Sequence, residues 1–154
     1  MIDKPQIVKT DTQRAAIIRF TIPRAEIQNV MGPGMAELNA AVAAQGIAPA
    51  GPMFSHHFRM DPAIFDFEIG VPLTAPISPV GRVEAGELPA ATVARTVYHG
   101  GYEGLGPAWG EFNSWVKAEG HTPAPDLWES YASGPESDPD PATFRTELNR
   151  PLLR

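Results

Sequence analysis

A segment of 23 residues in this chain aligns with a second segment further along the sequence. Residues 32–54 align with residues 106–128 at a constant offset of 74 without a gap, and nine of the 23 positions are identical. The alignment continues on both sides, where Ala15–Ile22 matches Ala91–Tyr98 and Phe65–Leu73 matches Phe144–Leu152. The sequence therefore predicts two copies of one unit, repeat 1 over about 6–74 and repeat 2 over about 81–152. Two such copies usually pack about a pseudo-twofold axis, so we expect a central groove where they meet.

The size of each copy favours one domain over two. A chain of 154 residues suits a single compact domain. Half of that length is marginal alone, because a small unit buries too little of its surface on folding. We therefore expect residues 1–154 to form one domain in which the two copies share a core.

Local patterns predict the order of elements within each copy. Pro33 and Pro107 suit the first position of a helix, where the missing N–H costs nothing. Gly46 and Gly120 suit the left-handed residue that ends one. Alternating apolar residues predict strands, with a hairpin arm over 81–90: Gln6–Ile22, Pro52–Met60, Ala63–Leu73, Leu88–His99, Asp126–Ala132 and Phe144–Leu152. The predicted class is α+β, with two strand–helix–strand–strand modules, an antiparallel sheet and two helices around the groove.

Composition narrows the possible partners. The net charge is −6 and the 12 basic residues are scattered, which argues against a nucleic-acid-binding surface. The absence of cysteine excludes disulfides and thiolate chemistry. The N-terminus has no apolar run and no stretch is long enough to span a bilayer, so the sequence predicts a cytoplasmic protein that does not enter membranes.

Glu129 is the strongest candidate functional residue. It lies in the predicted strand DLWESYASG, where period two puts Glu129 and Tyr131 on one face and Trp128 on the other. The repeat gives Ser55 and His57 as their counterparts. A carboxylate in a cleft with aromatic walls can bind an organic cation or act as a general base. The competing interpretation is an edge glutamate in solvent.

Other chemistries find little support in the sequence. The neighbours His56 and His57 point to opposite faces of a strand, and His99 and His121 lack ligand spacing, so we expect no metal and no cofactor. No GxSxG motif marks a nucleophile, and GPGMA lacks the lysine of a phosphate loop. Large aromatic residues are divided between core and cavity lining: Phe54, Phe58, Trp109 and Trp115.

Together with the duplication, two segments resemble the GyrI-like small-molecule-binding domain, also called the AraC-type effector-binding domain. They are VYHGGYEGLGPAW (Val97–Trp109) and LWESYASGP (Leu127–Pro135), and the resemblance extends from about Gln6 to Leu152. It implies two strand–helix–strand–strand modules around a central groove. It also implies that Glu129 pairs with cationic, lipophilic ligands in a pocket lined by aromatic residues.

The resemblance carries further site residues with it. Tyr131 matches the tyrosine of the family's glutamate strand, and Tyr102 matches the tyrosine of the turn before the second helix. The predicted ligand-binding set is Glu129, Tyr131, Tyr102, His57, Trp109 and Phe54. The family's usual HGPYE reads HGGYE here, with Gly101 in place of proline. A helix-turn-helix segment is also absent, so we expect a stand-alone domain rather than a complete transcription regulator.

Three functions remain open from the sequence. The favoured one is binding of a hydrophobic, cationic or electrophilic small molecule in the inter-repeat groove, for sequestration or detoxification. The second is a hydrolase, because some members of the family resemble enzymes that open cyclopropane-containing natural products with the same glutamate. The third is a protein-interaction module such as a gyrase-modulating partner, in which the acidic loop Glu136–Asp140 would take part. The sequence leaves the choice between monomer and dimer open.

Overall fold

The computed structural model describes residues 2–60, 62–133 and 140–153. Two α-helices are present in this part of the chain, α1 (Ile27–Ala44) and α2 (Leu105–Ala118). Nine strands accompany them: β1 (Gln6–Lys9), β2 (Gln13–Pro23), β3 (Phe54–Met60), β4 (Ile64–Pro72), β5 (Glu84–Leu88), β6 (Thr92–His99), β7 (Thr122–Pro123), β8 (Leu127–Ser133) and β9 (Arg145–Leu153). The fold is α+β with antiparallel strand pairing, which confirms the predicted class.

The chain divides into two compact units. The first unit is Asp11–Ala90, and the second unit combines Met1–Thr10 with Ala91–Arg154. Within the first unit the strands lie in the order β3-β4-β2-β5, and α1 packs on β2 and β4. Within the second unit the order is β8-β9-β6-β1, β7 pairs with β9, and α2 packs on β6 and β7. The order of the strands is therefore the same in both units.

The repeat extends to individual residue pairs. Ser55 pairs with Ile69 in the first unit, and Glu129 pairs with Leu148 in the second. These pairs are related by offsets of 74 and 79 residues, as the sequence alignment predicts. A β-bulge follows His57 in β3, and an equivalent bulge follows Tyr131 in β8. A bulge re-aims the residues that follow it, so its repetition shows that the glutamate strand has the same local geometry in both copies.

The N-terminal strand differs from the prediction. Gln6–Ile22 is not one strand, because β1 ends at Lys9 and pairs with β6, whereas β2 begins at Gln13 and pairs with β4 and β5. The predicted hairpin arm over 81–90 contains β5, which pairs with β2 rather than with the strand that follows it. Pro89 to Ala91 separate β5 from β6, so the predicted strand Leu88–His99 begins only at Thr92.

The offset that relates β2 to β6 is also corrected. The sequence alignment used 76 residues, but the equivalent pairings Ile18–Ile69 and Thr96–Leu148 give 78. A shift of two residues leaves every side chain on its predicted face, because side chains alternate with period two along a strand. The alternation of apolar residues therefore does not distinguish an offset of 76 from one of 78.

Both helices begin earlier than predicted. Helix α1 begins at Ile27, so Pro33 lies inside it, and α2 begins at Leu105, so Pro107 is its third residue. Pro107 is tolerated because the first turn of a helix has unpaired N–H groups in any case. Pro33 costs a backbone hydrogen bond to Asn29, and apolar packing offsets this, since Val30 and Met31 contact the core of the first unit.

The helix ends confirm the predicted glycine stops. Gly46 has φ of 67° and Gly120 has φ of 82°, and no non-glycine residue described has positive φ. We expect Gly46→Ala and Gly120→Ala each to lower the free energy of unfolding by about 1 kcal/mol, because a Cβ is strained in the left-handed region. Chemical denaturation measures this change. Gly32→Ala is the matched control, because Gly32 lies within α1 and an added Cβ meets open space there too. Equal midpoints for all three variants would contradict the assignment.

Each unit has its own apolar core between helix and sheet. In the first unit Leu38 and Val42 of α1 pack on Phe67 and Ile69 of β4. In the second unit the core is built from α2, β6 and β9: Ala94, Tyr98, Ala108, Phe112, Val116 and Leu148. No helix in the described ranges is long and apolar enough to cross a membrane.

Candidate functional site

Strand β8 and helix α2 together position the candidate site. Glu129 and Tyr131 lie on the face of β8 that α2 covers, as the period of two predicts, because Glu129 pairs with Leu148 of the helix-packed core. Trp109 lies in the first half of α2, three residues before the buried Phe112. The spacing of three puts both rings on one side of the helix, and their centroids are 5.6 Å apart.

Glu129 is held by two hydrogen bonds from aromatic side chains. Nε1 of Trp109 donates to Oε2 at 2.6 Å, and the hydroxyl of Tyr131 donates to Oε1 at 2.9 Å. Only 9% of the Glu129 surface is exposed. Both donors are neutral, and no Lys, Arg or His of the described chain forms an ion pair with this carboxylate. The carboxylate of Glu129 is therefore hydrogen-bonded, but no positively charged side chain of the described chain neutralises it.

Burial sets the electrostatics of this group. Loss of hydration raises the pKa of Glu129 above its usual value, and the hydrogen bonds from Trp109 and Tyr131 act in the opposite direction. Hydrogen bonds to a carboxylate favour the ionised form, whereas an apolar environment disfavours it. Glu129 is consequently a carboxylate poised to take either a proton or a cationic partner.

Further aromatic rings extend the wall beside Tyr131. The ring of Tyr102 lies 6.0 Å from that of Tyr131 in an edge-to-face arrangement, and 5.3 Å from that of Phe144. Tyr102 is 39% exposed, whereas Phe144 is buried. Sequence reasoning missed Phe144 as a site residue. The signal was available, because Phe144 aligns with Phe65 in the repeat.

The turn that carries Tyr102 rests on Tyr98. The hydroxyl of Tyr98 donates to the carbonyl of Gly101 at 2.8 Å, and a Cβ at Gly100 or Gly104 would collide with that hydroxyl. Glycine at both positions lets the backbone approach the tyrosine closely. The motif HGGYEG therefore has a physical reason beyond the turn itself, since it seats Tyr102 beside Phe144.

Thr146 adds a buried hydroxyl group beside Tyr131. It pairs with Tyr131 across the two strands and is fully buried. Its hydroxyl has no hydrogen-bond partner in the described part of the chain. A buried hydroxyl normally has one, so a ligand donor or a water molecule is the expected partner.

The equivalent positions of the first unit carry different chemistry. Ser55 is fully buried, and its hydroxyl shares a hydrogen bond of 3.2 Å with Nε2 of His57. The His57 ring stacks on Phe67 at 4.9 Å, and burial lowers the pKa of His57 to about 4, so its imidazole is neutral at pH 7. Because the same strand geometry accommodates serine, the fold itself does not require a carboxylate at position 129.

The predicted site residues therefore fall into two groups. Glu129, Tyr131, Tyr102 and Trp109 come together in the second unit. His57 and Phe54 belong to the first unit. The Phe54 ring is fully buried over Gly70, where an added Cβ would collide with it, so packing explains this residue.

The predicted acidic loop and the predicted turn at Asp61 include residues that the structure does not describe. In the acidic loop Glu136–Asp140, residues 136–139 lie outside the described residues, as does Asp61 of the predicted turn. Among the described residues, no group of three His, Asp or Glu side chains is placed to hold a metal ion.

Comparisons with known proteins identify the family and the fold. The family model for the GyrI-like small molecule binding domain matches residues 3–152. No curated protein matches the chain. Among solved structures, the C-terminal domain of EcmrR has a TM-score of 0.83 at 19% identity, with 98% of each chain covered. The chain spans 57% of the EcmrR chain seen in a DNA complex, with a TM-score of 0.82.

Two further structures carry informative descriptions. SAV2435, described as bound to tetraphenylphosphonium, has a TM-score of 0.68 at 10% identity, covering 98% of this chain and 94% of that one. A protein described as a hydrolase from Listeria innocua has a TM-score of 0.67 at 12% identity, covering 97% and 92%. At these identities the comparisons show a shared fold.

Proposed function

Because this chain belongs to the GyrI-like small-molecule-binding domain family, we propose that it binds a lipophilic organic cation at Glu129. The observation that carries the proposal is a carboxylate only 9% exposed that receives hydrogen bonds from Trp109 and Tyr131 but no positive charge from the described residues. A buried ionised carboxylate without a counter-charge costs several kcal/mol. A bound cation offsets that cost, which gives the site its selectivity.

The surrounding rings suit the body of such a ligand. Trp109, Tyr131, Tyr102 and Phe144 offer apolar area together with ring faces that attract a cation. Tyr102 is exposed enough to stand at the entrance. The description of SAV2435 as bound to tetraphenylphosphonium supports this choice of ligand class. The placement of the ligand between the two repeats stays a prediction.

A hydrolase with Glu129 as general base is the second candidate. The observation that favours it is the raised pKa of Glu129, because a base whose pKa lies nearer neutrality accepts a proton more readily. A fixed carboxylate beside aromatic rings can hold a water molecule against an electrophilic substrate. The similarity to a protein described as a hydrolase supports keeping this reaction class in the assays.

The raised pKa of Glu129 predicts pH-dependent binding. Only the ionised carboxylate attracts a cation, so affinity for tetraphenylphosphonium should fall as the pH drops through the raised pKa. That midpoint should lie above 4.5, the ordinary pKa of a glutamate side chain. Tetraphenylphosphonium does not titrate, so fluorescence or calorimetric titrations at several pH values report on the protein alone. Glu129→Gln is the control and should remove this pH dependence. A wild-type affinity that does not change between pH 4 and 8, where the ordinary and raised pKa values of carboxyl groups fall, would contradict the proposal.

A further inference from the structure

Glu68 is a second buried carboxylate, and it belongs to the first unit, whereas Glu129 belongs to the second. It is 8% exposed and belongs to β4 of the first unit. Its neighbours Phe67 and Ile69 pack on α1, so Glu68 points to the opposite face of the sheet. No residue in the described ranges donates a hydrogen bond to its carboxylate.

The repeat shows what Glu68 lacks. Its counterpart Glu147 accepts a hydrogen bond from Nδ2 of Asn149 at 3.2 Å and lies 3.4 Å from Nε of Arg95. By the pairing registers, Ile17 stands where Arg95 does, and Gly70 stands where Asn149 does. The first unit therefore keeps the carboxylate without an arginine or an asparagine at these two positions, and Arg19 lies across from Glu68 where the second unit has Val97.

Among the described residues, the charged groups that face Glu68 do not form an ion pair with its carboxylate. His56 lies directly across the strand pair and is 5% exposed, and its ring is 4.6 Å from that of Phe58. Arg19 pairs with Glu68 on the other side, but its Nη2 binds Asp66 at 2.6 Å. Burial raises the pKa of Glu68, nearby His56 and Arg19 lower it, and the negative charge of Glu84 raises it further.

The ring of Phe58 already makes a cation–π contact with a guanidinium group. The guanidinium carbon of Arg19 lies 4.2 Å from the centroid of the Phe58 ring. A planar cation is thus compatible with this ring, and a carboxylate can accept two parallel N–H bonds from an amidinium or guanidinium group.

We propose that Glu68, with His56 and Phe58 beside it, forms a second ligand site on the sheet face opposite α1, and that it takes a planar amidinium or guanidinium cation. The ligand supplies from outside the charge that Arg95 supplies to Glu147 within the second unit. This site is independent of the proposed function, because it shares no residue with the site at Glu129.

Benzamidine is the probe, and the test uses the Glu129→Gln protein so that the first site does not report. Calorimetry and NMR titration should show saturable benzamidine binding with shifted signals on β3 and β4. Adding Glu68→Gln should weaken binding about tenfold or more, whereas adding Glu147→Gln, the matched control, should leave it unchanged. No binding to the Glu129→Gln protein, or equal binding after Glu68→Gln, would overturn the proposal.

A second variant keeps the test decisive if Glu68→Gln does not fold. Ile17→Arg restores at Glu68 the partner that Arg95 gives to Glu147. It keeps the carboxylate but satisfies it internally, so benzamidine binding should fall about tenfold or more in the Glu129→Gln background. Undiminished binding to a folded Ile17→Arg protein would show that the probe binds elsewhere.

Discussion

Replacing Glu129 by glutamine is expected to lower the affinity for tetraphenylphosphonium about tenfold or more, because a desolvated charge pair contributes more than about 1.4 kcal/mol. Glutamine keeps the size of the side chain. Its carbonyl oxygen can still accept the hydrogen bond from Nε1 of Trp109, and its NH₂ group can donate to the hydroxyl oxygen of Tyr131, which accepts as well as donates. The fold should therefore persist, and the thermal midpoint should stay the same or rise, since the variant removes a buried charge. Titration of both proteins and a thermal melt measure the two effects.

Controls separate loss of charge from loss of shape. Glu147→Gln changes another glutamate of the same unit, one that already has Arg95 and Asn149 as partners, and should leave affinity unchanged. If the protein is a hydrolase, Glu129→Gln should abolish turnover of an electrophilic substrate while neutral ligands still bind. A Glu129→Gln protein that binds the cation like wild type would refute the central proposal.

A methyl group at Gly70 is expected to cause a large loss of stability. Gly70 lies beneath the fully buried ring of Phe54, and an added Cβ would approach Cε1 of that ring to 2.8 Å. Because the Phe54 ring is fully buried, it has little space to move away from the added Cβ. Gly70→Ala should therefore lower the free energy of unfolding by about 1–3 kcal/mol. Urea denaturation followed by fluorescence or circular dichroism measures the change.

Gly110→Ala is the matched control for this substitution. Gly110 lies inside α2, where an added Cβ meets open space. Alanine has the higher helix propensity, so this variant should be more stable by about 0.5–1 kcal/mol. The two changes should have opposite signs, because packing opposes the added methyl group at Gly70 and helix propensity favours it at Gly110. A Gly70→Ala protein as stable as wild type would show that the Phe54 ring does not press on this position.

The sequence predicted the features that repeat and missed those set by distant pairing. Strand period two was enough to place Glu129 and Tyr131 on one face. Glycine chemistry was enough to place the helix ends at Gly46 and Gly120. The start of α1 was wrong, because proline preference is local whereas the apolar contacts that extend the helix past Pro33 are tertiary.

The site was only partly predictable for the same reason. Trp109 was one of several aromatic residues with equal claims, and only the helix-to-strand contact singles it out as the donor to Glu129. Phe144 lies 42 residues after Tyr102 in the sequence, so no local pattern joins the two rings. Phe54 was predicted to bind ligand, but its ring packs over Gly70 instead. The sequence pattern of β3 does not distinguish these two roles.

The pairing of β1 and β5 joins the two sequence repeats. Each of these strands stands at the start of one sequence repeat but pairs with the central strand of the other, β1 with β6 and β5 with β2. A single repeat with this connectivity lacks an edge strand for its own central strand, because the strand at its start pairs with the other copy. A cut between the sequence repeats would therefore leave each half holding the other's edge strand.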